Sequence, residues 1–312
     1  MTDSSNNILI SIVIPTYKCE CFISKLYKRL TATLKKISDN YEIIIVNDCS
    51  PLNDWQEIKK ITDIDNKVKG IDLSRNFGQH QAITAGIENS KGNWVIVMDG
   101  DLQDQPEEIT KLYNKTKEGY EIVFGQRLRR KDSFIKKNFS KLFYFVLGYL
   151  TGTKQDSSIG NFGIYHRNVI NAIISMKDNT RYFPTMVRWV GFKQTSIEVI
   201  HNDRENGKTS YSLKKLINLA LDVMIAFSDR PLRLTVKLGL LISLMSLIYT
   251  IYILIKYFMN QIIITGWASV IISIWFLSGL IIFLLGIIGL YIGKTFEKVK
   301  DRPIYIIREI VN

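Results

Sequence analysis

The residues with the clearest chemical potential stand in one run, Asp99-Gly100-Asp101-Leu102-Gln103-Asp104. Carboxylates at i and i+2, followed by an amide oxygen at i+4, can converge on a hard divalent cation once the glycine lets the chain turn. Mg²⁺ and Mn²⁺ prefer oxygen ligands and keep coordination places open for substrate phosphates. Taken alone, Asp-Gly-Asp also suits an ordinary solvated turn. Its place in the rest of the chain decides otherwise. Trp94 to Met98 is a short apolar, mostly β-branched run that reads as a strand buried on both faces. Carboxylates at the carboxyl end of such a strand sit where open α/β sheets bind ligands.

The elements that must position this run alternate between strand and helix. Strands are expected at Ile8–Ile14, Glu42–Val46, Val68–Leu73, Trp94–Met98 and Glu121–Phe124. Between them, Phe22–Ile37, Trp55–Ile61 and Gly78–Asn89 have helical spacing, and Pro106 opens another helix where proline is tolerated. Strands separated by helices of this length imply a parallel sheet with right-handed crossovers. Polar residues recur at the strand ends: Thr16 and Tyr17, Asp48, Ser74 and Arg75, then Asp99 and Asp101. That line of chemistry along one sheet edge argues for a nucleotide site. The chain contains neither GxGxxG nor GxxxxGK[ST], so the dinucleotide fingerprint and the P-loop are both absent.

In order along the chain, Ile14-Pro15-Thr16-Tyr17, Val46-Asn47-Asp48-x-Ser50, Arg75-Asn76-Phe77-Gly78 and Met98-Asp99-Gly100-Asp101-Leu102-Gln103-Asp104-x-Pro106-Glu107 resemble the family 2 glycosyltransferases. More narrowly the chain is similar to the polyprenyl-phosphate group, and Asn76-Phe77-Gly78-Gln79-His80-Gln81-Ala82 is similar to its aminoarabinose-type branch. The later run Arg204-x-x-Gly207-x-x-Ser210-Tyr211-Ser212 also resembles this group. The resemblance implies an α/β fold, a nucleotide-diphospho-sugar transferase (GT-A-like) domain with a mostly parallel sheet. It implies that Asp48 holds the nucleotide base, that Pro15, Thr16 and Tyr17 line its pocket, and that Asp99 faces the ribose and diphosphate. Asp101 and Gln103 would then ligate Mg²⁺ or Mn²⁺, and Ser210 and Tyr211 would contact substrate. A diphosphate leaving group needs positive charge where its own charge develops. Arg127 and Arg204 are the candidates to add to the metal's share, since guanidinium forks pair bidentately with phosphate oxygens.

Relatives commonly carry an aspartate where Asn161 lies in Ser157-Ser158-Ile159-Gly160-Asn161-Phe162-Gly163. An amide cannot accept a proton as a carboxylate does. A phosphate acceptor is already an anion and needs little deprotonation, so Asn161 suits polyprenyl (undecaprenyl) phosphate. The alternative is transfer to the hydroxyl of a lipid-linked glycan, which calls for a strong base near this position. Intact Asp48, Asp99, Asp101 and Gln103 argue against a scaffold that keeps the fold without the chemistry. His166 and His201 read as ordinary, and the CxC of Cys19 and Cys21 lacks a second ligand pair for zinc.

Net charge is +12 over 312 residues, with Lys and Arg crowded around 127–141, 204–237 and 294–302. No nucleic-acid-binding module is recognisable, and the basic runs flank apolar ones, which points to a membrane. Phe134–Leu150 and Ser212–Phe227 read as basic amphipathic helices at its interface. Val236–Ile255 has the length to cross a bilayer core of about 30 Å, and Trp267–Ile292 has no charge at all. The expected organisation is a transferase domain at 1–211, an interface segment at 212–235, two transmembrane helices within 236–293 and a tail at 294–312. Arg230, Arg233 and Lys237 before the first span, and Lys294, Lys298, Lys300 and Arg302 after the second, place both ends in the cytoplasm. The expectation is a multi-pass protein of the bacterial inner (cytoplasmic) membrane, with a nucleoside-diphosphate sugar and a lipid phosphate as partners; a homo-oligomer is compatible with the sequence.

Overall fold

The computed structural model describes residues 9–127, 159–176, 178–201, 228–259 and 266–312. The chain forms β1 (Ile10–Thr16), α1 (Glu20–Leu34), β2 (Tyr41–Asn47), α2 (Asp54–Thr62), β3 (Val68–Leu73), α3 (Gln79–Glu88) and β4 (Trp94–Val97). A 3₁₀ turn, Pro106–Glu108, leads into α4 (Ile109–Thr116), followed by β5 (Ile122–Arg127) and β6 (Ile159–His166). Then come α5 (Arg167–Ser175), α6 (Phe183–Trp189), β7 (Gln194–Val199), the long helices α7 (Arg230–Phe258) and α8 (Trp267–Val299), and β8 (Ile307–Val311).

One eight-stranded sheet runs in the order β7-β5-β6-β4-β1-β2-β3-β8. Strands β1 to β4 are mutually parallel, as the β-branched runs and intervening helices require. Two strands run against them. β6 is antiparallel to both β4 and β5, and β8 is antiparallel to β3. Side chains alternate between two cores. Ile12, Ile14, Ile43 and Ile45 pack with Ile23, Leu26 and Leu30 of α1, while Ile44, Val46, Ile71 and Leu73 face Ala82 and Ala85 of α3. Gly86 lets α3 lie close to the sheet, because a Cβ there would stand 2.2 Å from Val13 Cγ1. Forcing that volume in costs about 1–3 kcal/mol.

The chain divides into two compact units, one holding the sheet together with Pro303–Asn312, the other containing α7 and α8. In the second unit Tyr291 Oη donates to the Ser228 carbonyl at 2.8 Å. Both helices contain stretches long and apolar enough to cross a membrane, Arg230–Tyr249 and Ser273–Val299, with mean hydropathy 1.6 and 2.4. Their large apolar side chains are exposed: Leu240 is 72% accessible, Trp275 76% and Ile282 70%. A soluble packed hairpin would bury such residues.

Within residues 294–312, Lys294 to Val299 continue α8 and Ile307–Val311 is an edge strand of the sheet. The five-residue run pairs with β3 through long-range backbone bonds that local patterning does not announce. The amphipathic candidates 134–150 and 212–227 lie outside the described residues.

Candidate functional site

The register brings the predicted polar residues to one edge. Thr16 ends β1, Asn47 ends β2 with Asp48 directly after it, Leu73 ends β3 before Ser74, and Asp99 follows β4 by one residue. Because β6 runs against β4, with Val97 opposite Gly163, Asn161 lies past that pairing at the same edge as Asp99. Arg127 ends β5, which is parallel to β7. Arg204, Ser210 and Tyr211 lie outside the described residues.

Asp48 is the structural knot of this edge. It is buried, and its two carboxylate oxygens accept from the backbone N–H groups of Phe77 (2.7 Å) and Gly78 (2.9 Å). The loop after β3 is thereby tied to the loop after β2. Burial raises the Asp48 pKa above the usual aspartate value, against the downward pull of the two N–H donors. Gly78 adopts φ of +110°, a conformation side chains avoid, and so delivers its N–H at the start of α3. Of the three residues predicted to line the base pocket, Pro15 and Thr16 are buried, and the Thr16 hydroxyl donates to the Val46 carbonyl. Tyr17 is the exposed one.

The acidic turn is pre-set by its own hydrogen bonds. Asp101 Oδ1 accepts from Gln103 N at 3.2 Å, Leu102 takes a positive φ of 60°, and Gln105 Nε2 donates to the Leu102 carbonyl at 3.0 Å. Buried Asp104 reaches back to the Asp99 N–H at 3.4 Å. The donors Asp99, Asp101 and Gln103 are all oxygen, which suits Mg²⁺ or Mn²⁺. Among the described residues no group of three or more His, Cys, Asp or Glu side chains converges on one point.

Three participants were missed in the sequence. Gln79 Nε2 donates to Asp99 Oδ1 at 2.6 Å, which fixes that carboxylate from the first residue of α3. His201, read as ordinary, sits past β7 with Nδ1 3.3 Å from Asp104 Oδ1. Arg308 of β8 reaches the loops after β2 and β3. Gln79 lay inside a recognised run and could have been found from it. For His201 and Arg308 no local signal exists, since both come from distant strands.

A mostly parallel sheet with an antiparallel insert, its acidic turn following β4, is the architecture of nucleotide-diphospho-sugar transferases. The glycosyl transferase family 2 model matches residues 11–183, and the chain belongs to that family. It is a glycosyltransferase. An uncharacterized glycosyltransferase of Bacillus subtilis (strain 168), YkcC, is 38% identical over 98% of this chain and 95% of its own length. The undecaprenyl-phosphate 4-deoxy-4-formamido-L-arabinose transferase of Aeromonas hydrophila subsp. hydrophila is 32% identical over 97% of this chain and 94% of its own. Among solved structures, glucosyl-3-phosphoglycerate synthase from Mycobacterium tuberculosis in complex with Mn²⁺, UDP and phosphoglyceric acid shares the fold, with TM-score 0.50. It is 14% identical, covering 70% of this chain and 76% of that one.

Proposed function

We propose that this chain is a membrane-anchored inverting transferase that moves one sugar from a nucleoside diphosphate to polyprenyl phosphate, with undecaprenyl phosphate as the bacterial acceptor. The observation that carries the reading is the composition of the edge around Asp99. Asp48 follows β2, Asp99, Asp101 and Gln103 follow β4, and Asn161, an amide, lies on β6 at the same edge. That set supports a donor site beside an acceptor needing no base. The relatives named for undecaprenyl-phosphate sugar transfer, similar over nearly the whole chain, support the acceptor class.

In this reading Asp48 and the loops it ties hold the nucleoside, and Asp99, steadied by Gln79, orients the sugar-diphosphate end. Asp101 and Gln103 would hold Mg²⁺ or Mn²⁺, whose positive charge would stabilise the departing diphosphate. Arg127 and Arg204 add to it. The acceptor's phosphate oxygen attacks the anomeric carbon, forming the new C–O bond as the bond to the diphosphate breaks on the opposite face. No enzyme nucleophile is used, and no proton has to leave the acceptor.

The topology reading gains support from β8. Residues before α7 and after α8 share one sheet, so both ends of the helical pair belong on one side of any membrane it crosses. Their flanking cations favour the cytoplasmic side.

The test supplies radiolabelled nucleotide sugars and undecaprenyl phosphate to membranes that carry the protein or its Asn161→Asp variant. Labelled lipid with the parent, unchanged or slower in the variant, is the expected result. A carboxylate that served as base would add about 10²–10⁴-fold. A gain of that order in the variant with a glycan-hydroxyl acceptor, and no product on bare lipid phosphate, overturns the acceptor assignment.

A further inference from the structure

The pairing of β8 with β3 contains an irregularity that sequence patterning does not explain. Glu309 lies opposite Asp72 and Ile307 opposite Leu73, so the register shifts there and leaves Arg308 without a partner. Bulged residues are re-aimed out of the strand's alternation, and bulges concentrate beside functional sites. Here the re-aimed side chain reaches the carboxyl edge of the sheet. Arg308 Nη1 donates to Asp72 Oδ2 at 3.0 Å, and Nη2 donates to the Ser74 carbonyl at 2.7 Å. Nη2 also lies 3.6 Å from Cys49 Sγ.

These contacts belong to the two loops that Asp48 ties together. Cys49 directly follows Asp48 and sits at a positive φ of 50°, a strained conformation for a residue with a side chain. Ser74 opens the loop that presents the Phe77 and Gly78 N–H groups to Asp48. Asp72 is buried, and it also accepts from Asn47 Nδ2 at 2.7 Å, on the residue just before Asp48. One guanidinium therefore braces the loop after β2, the loop after β3 and a buried carboxylate between their strands. A rigid planar fork can do this; a lysine ammonium on its flexible stem can pair with Asp72 but does not reproduce the span.

We propose that Arg308 is a positioning residue of the donor site, so that the chain's last strand completes the pocket for the nucleoside end of a nucleoside diphosphate. The proposal rests on the reading of Asp48 and its loops as that pocket. It separates two roles of the C-terminal segment. A strand that merely closed the sheet edge needs no bulge and no cation aimed at these loops. Backbone pairing and the Trp55 Nε1 bond to Glu309, at 3.0 Å, already anchor it.

The experiment uses the full chain in detergent, with UDP, GDP, CDP and dTDP in the presence of Mg²⁺ as calorimetric probes. The proteins are the parent, Asp48→Asn, Arg308→Met and Arg308→Lys, each checked for native circular dichroism. At least one nucleotide should bind the parent, and Asp48→Asn and Arg308→Met should each bind it about tenfold or more weakly. Arg308→Lys keeps a cation beside Asp72, so it guards against a variant that fails to fold; its binding should weaken by about threefold or more. In turnover, the donor KM should rise in both Arg308 variants while kcat at saturating donor and the acceptor KM hold, a split that simple loss of folded protein does not give. Loss of binding in Asp48→Asn with both Arg308 variants within about twofold of the parent overturns the positioning role alone. If the parent binds none of the four nucleotides, the donor-pocket reading and this proposal fall together.

Discussion

Acidification should weaken the fold through His80, and the effect can be worked from its surroundings. Its Nδ1 is buried and without a hydrogen-bond partner among the described residues, and its ring packs edge-on against Tyr182 at 4.7 Å. Burial lowers its pKa from 6.5 to about 4. Its place as the second residue of α3 acts in the same direction, since a helix N-terminus disfavours a cation. Between those two values the unfolded chain carries a proton that the folded chain refuses. Stability is therefore fully present above about pH 6.5 and falls as the pH drops towards about 4, where the loss levels off. A shift of that size corresponds to about 3 kcal/mol, and the partial accessibility of the residue as a whole reduces it to about 1–3 kcal/mol. His80→Phe keeps an aromatic partner for Tyr182 and removes the titration. Any packing cost of the larger ring is constant with pH and cancels in the slope. In thermal midpoints of both proteins across about pH 4.5–7.5 in one detergent, the difference parent minus variant should fall on acidification. The parent should lose about 2–12 °C relative to the variant, at about 2–4 °C per kcal/mol for a domain of this size. Parallel curves would refute the buried neutral imidazole.

Two further outcomes follow from the site and the helices. Asp101→Asn should remove most transfer activity with an unchanged thermal midpoint, because it weakens an oxygen ligand without changing shape. Full activity in that variant, or undiminished parent activity in excess EDTA, contradicts the metal role. A reporter fused after Asn312 should read as cytoplasmic and one inserted near Asn260 as periplasmic. Two cytoplasmic readings would mean that α7 and α8 do not cross.

What the sequence determined by itself is whatever local pattern can encode. The five strands from Ile8 to Phe124 were legible because apolar β-branched runs buried on both faces admit few other readings. The acidic turn was legible from its own residues, and the two long helices from uninterrupted apolar length. Boundaries moved by a few residues, as at α1, observed over Glu20–Leu34, because helix ends depend on caps and packing. Tertiary structure alone decided how distant strands complete the site. β6 and β8 enter antiparallel, and their pairing is a long-range backbone choice that no period of 2 or 3.6 specifies. That choice carries Asn161 to the Asp99 edge, pairs the strand that bears Arg308 with β3, and lets β7 bring His201 to Asp104. Asp48 changes meaning for the same reason. In the sequence it is a carboxylate after a strand; in the fold, two backbone N–H groups from the next loop make it the tie between both walls of the candidate pocket.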